Sequence, residues 1–179
     1  MKLPSKTPVG EDGLSMIDVK NNQELFSQIL VPLLNLSLQK GIFPDRIKQA
    51  VIVPLYKKDD PKKVENYRPI SLLSPISKIF EVCVKEKIEN YLQHINFFSK
   101  SQHGFSEGKS TDTALFEHIT DIADSIEMGR ATVGVYLDLE KAFDTVSHSI
   151  LLRKLENIGI RGTLLNWFRT NLISRKQAT

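Results

Sequence analysis

Cysteine occurs once in the 179 residues, at Cys83, which excludes an internal disulfide framework and fits a reducing compartment. No apolar run approaches the roughly 18 residues that a membrane-spanning helix needs, so no span is expected. The opening MKLPSKTPVGEDG lacks the apolar stretch of a secretion signal. An intracellular setting, cytoplasm or nucleus, is the expectation. Charge of one sign is also missing: 24 Lys and Arg against 21 Asp and Glu leave +3. Such a balance permits a nucleic-acid partner without demanding one, because a local basic stripe matters more than the sum. No internal repeat or low-complexity tract appears. With 41% hydrophobic residues the chain can bury one ordinary core, although a length near the modal domain size does not make a domain complete.

The hydrophobic pattern predicts mixed α and β structure with few strands for its helices. Residues 1–21 are polar, contain Pro and Gly, and read as an arm or loop. Leucines and isoleucines recur at helical spacing from Glu24 to Lys40, with Gly41 as the stop signal and Pro32 as a kink unless it sits in a first turn. AVIVPLY, 50–56, reads as a strand in which Pro54 demands an edge or a strand end, and KKDDPKK after it as a charged turn. Ile76, Ile79, Phe80, Cys83, Val84, Ile88, Tyr91, Leu92 and Ile95 keep to one face of a 3.6-residue period. Leu115, Ile119, Ile122 and Ile126 do the same, with caps among Ser110 to Asp112 and a stop at Gly129. ATVGVYLD, 131–138, alternates with period two and predicts a strand carrying Val133, Val135 and Leu137 on one face and Gly134, Tyr136 and Asp138 on the other. Helices are expected near 149–157 and 163–174.

HGFSEGKSTD, 103–112, has the composition of a phosphate cradle. A P-loop needs four residues between its glycines and a strand before them. Gly104 and Gly108 enclose three, and YLQHINFFSKSQ is a poor strand, so a P-loop NTPase is the remote alternative even though VYLDLE could pass for a Walker B strand. Two plain readings stay open. Either the glycines only turn the chain around a solvated Lys109, or Lys109 beside free amides at a helix start attracts an anion. Asp138 closes the predicted strand on its open side. A carboxylate there suits a hard divalent cation, or merely caps a helix or meets solvent.

GEDGLS, KGIFPDRIKQAVIVPLYKKDD, NYRPISLLSPISKIFE, SQHGFSEGKSTDTAL, VYLDLEKAFDTVSHSILLRKLENIGIRG and LLNWFRTNLISRKQ follow one another in an order and spacing that resemble the reverse transcriptases of non-LTR retrotransposons, over nearly all of residues 6–179. The resemblance implies an α+β fold: the fingers and part of the palm of a right-hand polymerase. It sets residues 1–21 as an N-terminal arm, 22–129 as the fingers-like region and 130–179 as the first part of the palm. It implies RNA-directed DNA synthesis by two-metal phosphoryl transfer, with Mg²⁺ as cofactor and an RNA template, a DNA primer and deoxynucleoside triphosphates as partners. Asp138 matches the catalytic, metal-binding aspartate, with the Leu139 carbonyl as a second ligand. Phe143 matches the bulky residue under the incoming sugar, which otherwise reads as core packing. Arg68 and Lys109 match fingers positions over template and triphosphate, where Arg offers a fork and Lys a point charge. Asp144 and His148 read as structural, and Lys57, Lys58, Lys62 and Lys63 as a backbone-tracking run or a solvated loop.

The chain departs from the family in two places. Ser106 and Glu107 stand where relatives carry basic residues, which weakens binding of a triphosphate. The family's paired catalytic aspartates and thumb are expected after Thr179. Asp59 and Asp60 lie on the wrong side of the motif to replace that pair. The expectation is therefore a polymerase fragment that is inactive alone and poorly soluble; the alternative is a non-catalytic RNA- or RNA/DNA-binding remnant.

Overall fold

The computed structural model describes residues 12–178, so residues 1–11 of the arm expected at 1–21 lie outside the described residues. The chain divides into two compact units, Met1–Val84 with Phe143–Thr179, and Lys85–Ala142.

The first unit opens on a helix, α1 (Met16–Asn21), where a loop was expected. Ser15 and Asp18 form a reciprocal capping box, Ser15 N–H donating to Asp18 Oδ2 at 2.9 Å and Asp18 N–H to Ser15 Oγ at 3.2 Å. This local signature, S-x-x-D, and the buried pair Met16 and Val19 outweigh the polar composition. Next, α2 (Gln23–Lys40) runs through Pro32 in its interior and stops at Gly41 in the left-handed conformation, as its spacing predicts. Strands β1 (Gln49–Tyr56) and β2 (Tyr67–Leu73) form an antiparallel hairpin, followed by α3 (Pro75–His94), whose first half belongs to this unit. After the division come α5 (His148–Asn157), α6 (Gly162–Leu172) and a short β3 (Lys176–Ala178) parallel to β1, giving the sheet order β2-β1-β3.

Strand β2 was not among the expected elements, and Pro69 in YRPISLL is an objection to any strand there. The register resolves that objection. Pro54 faces Pro69, and Lys57 N–H donates to the Asn66 carbonyl at 2.8 Å. Hydrogen-bonded and non-hydrogen-bonded pairs alternate in such a ladder, so the Pro54–Pro69 pair falls where neither N–H points at its partner strand. Pro54 would point instead to the β3 side, and β3 pairs only with Gln49–Val51. The two prolines therefore cost the hairpin no hydrogen bond, and each guards an otherwise open edge.

The core is built where α6 meets α2 and the segment after it. Phe43, Phe80 and Trp167 are buried, with edge-to-face contacts at 6.4 Å (Phe43–Phe80) and 5.1 Å (Phe43–Trp167). Each such side chain contributes about 1.5–3 kcal/mol by burial, and each ring pair about 0.5–1.5 kcal/mol more. The polar edge of the cluster is fully used. Trp167 Nε1 donates to Ser37 Oγ at 2.9 Å, which donates to the Ile42 carbonyl at 2.6 Å, and Asn166 Nδ2 donates to the Gly41 carbonyl at 3.0 Å. Arg175 lies 5.8 Å over the Phe43 ring, donates to Glu81 and to the Asn171 carbonyl, and delivers Lys176 to β1. That turn ends the helix at Leu172, short of the expected 174.

The second unit contains the second half of α3 and α4 (Thr111–Glu127), capped by Ser110 and ended near Gly129 at φ 68°. The strand expected at 131–138 is absent: 130–139 has no ladder partner and is exposed throughout. Period-two alternation specifies a strand only as one side of a ladder, and this segment pairs with no strand among the described residues. Its apolar residues are exposed, as is the Leu115, Ile119 and Ile126 face of α4. No described helix is long and apolar enough to cross a membrane.

Candidate functional site

The β1–β2 hairpin presents two different faces. Alternation places Leu55, Lys57 and Arg68 on one, and Pro54, Tyr56, Tyr67 and Pro69 on the other. Arg68 lies directly across from Leu55 and is exposed, with Lys57 diagonal to it. The connection is an ordered turn rather than a floppy charged loop. Tyr56 Oη donates to the Asp59 carbonyl at 2.5 Å, Tyr67 Oη to the Pro61 carbonyl at 2.9 Å, and Asn66 Nδ2 to the Asp60 carbonyl at 2.8 Å. Asp60 Oδ1 accepts from Lys62 N–H at 3.0 Å, and Asp59 sits at φ 68°. These aspartates shape the turn. None of the ion pairs among the described residues uses Lys57, Lys58, Lys62, Lys63 or Arg68, five cations carried by the turn and the start of β2.

The loop before α4 is not a P-loop. Helix α3 and turns precede it, with no strand between 95 and 110. Gly108 turns the chain at φ 73°, while Gly104 has no such need. The Lys109 amine donates to the Lys100 carbonyl in the same loop, and the helix start is filled by its own side chains, Ser110 and Thr113 exchanging backbone and hydroxyl bonds at 2.9 and 3.3 Å. Ser106 Oγ lies 3.5 Å from the Gly104 carbonyl and Glu107 is exposed. His103, which the sequence did not single out, bridges Thr113 Oγ1 at 2.8 Å and Glu117 Oε2 at 2.6 Å. Thr113 and Glu117 stand four apart on one helix face, and that spacing ten residues after a histidine is the signal in the sequence.

Asp138 lies in the unpaired segment 130–139 and enters no hydrogen bond or ion pair among the described residues, Lys109 included. Two residues earlier, Tyr136 Oη meets His118 Nε2 of α4 at 2.8 Å, and its ring covers Gly134, where a Cβ would come within 3.1 Å of Tyr136 Oη. His118 is the second residue that sequence reasoning missed. Phe143 is exposed in the turn 140–145, so it is not the core residue its plain reading allowed. Asp144 shares that turn and His148 opens α5. No group of three His, Cys, Asp or Glu able to hold a metal occurs among the described residues. One carboxylate and one carbonyl do not fill the six-oxygen shell of Mg²⁺, so Asp138 and Leu139 do not by themselves fit a two-metal centre.

The sequence model for reverse transcriptase (RNA-dependent DNA polymerase) matches residues 56–179. The chain is 31% identical over 158 residues to "RNA-directed DNA polymerase from mobile element jockey" of Drosophila melanogaster, which covers 88% of this chain and 17% of that protein. It is 31% identical over 160 residues to "Probable RNA-directed DNA polymerase from transposon BS" of the same species, 87% of this chain and 17% of the relative. "Transposon TX1 uncharacterized 149 kDa protein" of Xenopus laevis is 26% identical over 94% of this chain and 13% of its own length. The chain thus spans about a sixth of the first relatives it matches. The match runs from the end of β1 through the hairpin turn, the Lys109 loop and the Asp138 segment, and the chain belongs to the reverse transcriptase family, as its resemblance to the non-LTR retrotransposon enzymes implied.

Proposed function

We propose that this chain carries the fingers and the first palm segment of an RNA-directed DNA polymerase. The observation that carries the reading is the ordered turn and second strand of the hairpin, both within the matched region, which carry Lys57, Lys58, Lys62, Lys63 and Arg68 without an internal ion pair. Cations so placed suit the phosphate backbone of an RNA template paired with a DNA primer. Arg68 adds a planar fork that fits a phosphate in two bonds. Lys109 takes the triphosphate of the incoming deoxynucleotide, and its amine leaves the Lys100 carbonyl to do so. Phe143, already exposed, lies under the sugar and excludes a 2′-hydroxyl. Asp138, with the Leu139 carbonyl, supplies one edge of a divalent-metal site.

In-line transfer needs carboxylates besides Asp138, and the described residues gather no such group near it. The chain alone therefore holds nucleic acid but does not extend a primer. A primer-extension assay with an RNA template, DNA primer, deoxynucleotides and Mg²⁺ tests this. No product is expected, and extension that disappears in Asp138→Ala would overturn the reading.

A further inference from the structure

The stretch Gly104–Lys109 is anchored on α4 at both ends. At its far end Ser110 caps the helix: Ser110 N–H donates to Thr113 Oγ1 at 2.9 Å, and Thr113 N–H donates to Ser110 Oγ at 3.3 Å, which leaves the Thr113 hydroxyl proton for His103. At its near end His103 reaches the same Thr113 Oγ1 with Nδ1 and Glu117 Oε2 with Nε2, and its side chain is only 14% exposed. Glu117 as a carboxylate accepts, so Nε2 donates to it. Both ring nitrogens are committed, and both partners lie on the first two turns of one helix. Thr113 is the shared node, so clasp and cap hold each other. Within this frame only six residues remain, and Lys109 is the last of them. The imidazole thus closes a loop of ten residues at the point where the loop carries its lysine.

We propose that His103 is a positioning residue: by gripping Thr113 and Glu117 it fixes Gly104–Lys109 against α4, so that Lys109 meets a triphosphate from one backbone position. The second half of this statement rests on the triphosphate role of Lys109; the clasp itself does not. Without the clasp the loop keeps the Ser110 cap and the Lys109–Lys100 bond, and a triphosphate that draws the Lys109 amine off that carbonyl must order more of the loop on binding.

The test is amide hydrogen exchange and titration with inorganic tripolyphosphate, both followed by NMR on the full 179-residue chain. His103→Ala should speed exchange of the amides of 104–110 about tenfold, the loss of a bond to a charged acceptor, with amides in the middle of α4 unchanged. Tripolyphosphate should bind several-fold more weakly. His103→Gln, whose amide can still donate to Glu117, should recover part of both effects, and Glu117→Gln should resemble a weaker His103→Ala. Unchanged loop exchange in His103→Ala overturns the proposal, as does exchange that rises equally through α4, since His103 would then only stabilise the helix. If tripolyphosphate does not shift the 104–110 amides of the unmodified chain, the triphosphate role of Lys109 fails, and the clasp is still decided by exchange.

Discussion

Gly41→Ala should be among the most damaging single-methyl additions in the protein. Gly41 ends α2 at φ 64°, where an L-residue costs about 1 kcal/mol. A Cβ there would lie 2.6 Å from the Thr163 carbonyl oxygen and 3.2 Å from two further Thr163 backbone atoms. To reach ordinary contact at 3.4 Å, the Thr163 backbone must retreat about 0.8 Å. Thr163 is the second residue of α6 and cannot rotate away, so the helix has to move. That motion loads the Asn166–Gly41 bond, the Phe43 N–H to Thr170 Oγ1 bond at 2.9 Å and the Trp167–Ser37 bond. Overpacking of this kind costs roughly 1–3 kcal/mol, against a gain of about 0.4–1 kcal/mol from a stiffer unfolded chain. The net expectation is a loss of roughly 1–3.6 kcal/mol, a large share of a typical domain stability of about 5–15 kcal/mol. Urea unfolding followed by the buried Trp167, the only tryptophan, measures it. Gly162→Ala is the matched control: φ is 61° but nothing lies within 4 Å of its Cβ, so only the conformational cost of about 1 kcal/mol or less should appear. Equal losses in the two variants would refute the steric reasoning.

Ser77→Ala should raise stability by up to about 1 kcal/mol in the same assay, because Ser77 Oγ is buried in α3 and meets no hydrogen-bond partner among the described residues. Acid should loosen α1 through Asp18. The hydrogen bonds from the Ser15 hydroxyl and backbone hold the Asp18 carboxyl below its ordinary value of 3.8. A depressed carboxyl contributes stability that is present above the ordinary value and lost as pH falls through the folded one. The difference in melting temperature between the unmodified chain and Asp18→Ala should therefore narrow below about pH 4, and a difference that is flat down to about pH 2 would contradict the capping box.

Local signals predicted local structure well. Helices α2, α3 and α4 follow from 3.6-residue periodicity, and Gly41, Ser110 and Gly129 mark ends because left-handed glycine and hydroxyl caps act within one turn. What failed depended on partners far away in sequence. YRPISLL looked unlike a strand until Pro69 met Pro54 at a position needing no N–H. Residues 176–178 became a strand only through β1, more than a hundred residues earlier. ATVGVYLD erred in the opposite direction: it has the side-chain pattern of a strand but no described edge to complete it. The chemistry divides similarly. Arg68 and Lys109 were singled out from motifs local in sequence, whereas the contacts of His103 and His118 depend on where loops fold back on α4.

The central claim is that the basic hairpin meets nucleic-acid phosphates. Its most direct measurement is the salt dependence of binding to a labelled RNA–DNA hybrid, for the unmodified chain, a Lys57→Gln, Arg68→Gln variant and Asp138→Ala. A plot of log K against log salt should fall steeply for the unmodified chain and stay unchanged in Asp138→Ala. In the hairpin variant it should become shallower by about two, near one for each phosphate that is no longer neutralised. A slope that the hairpin substitutions do not alter would contradict the account.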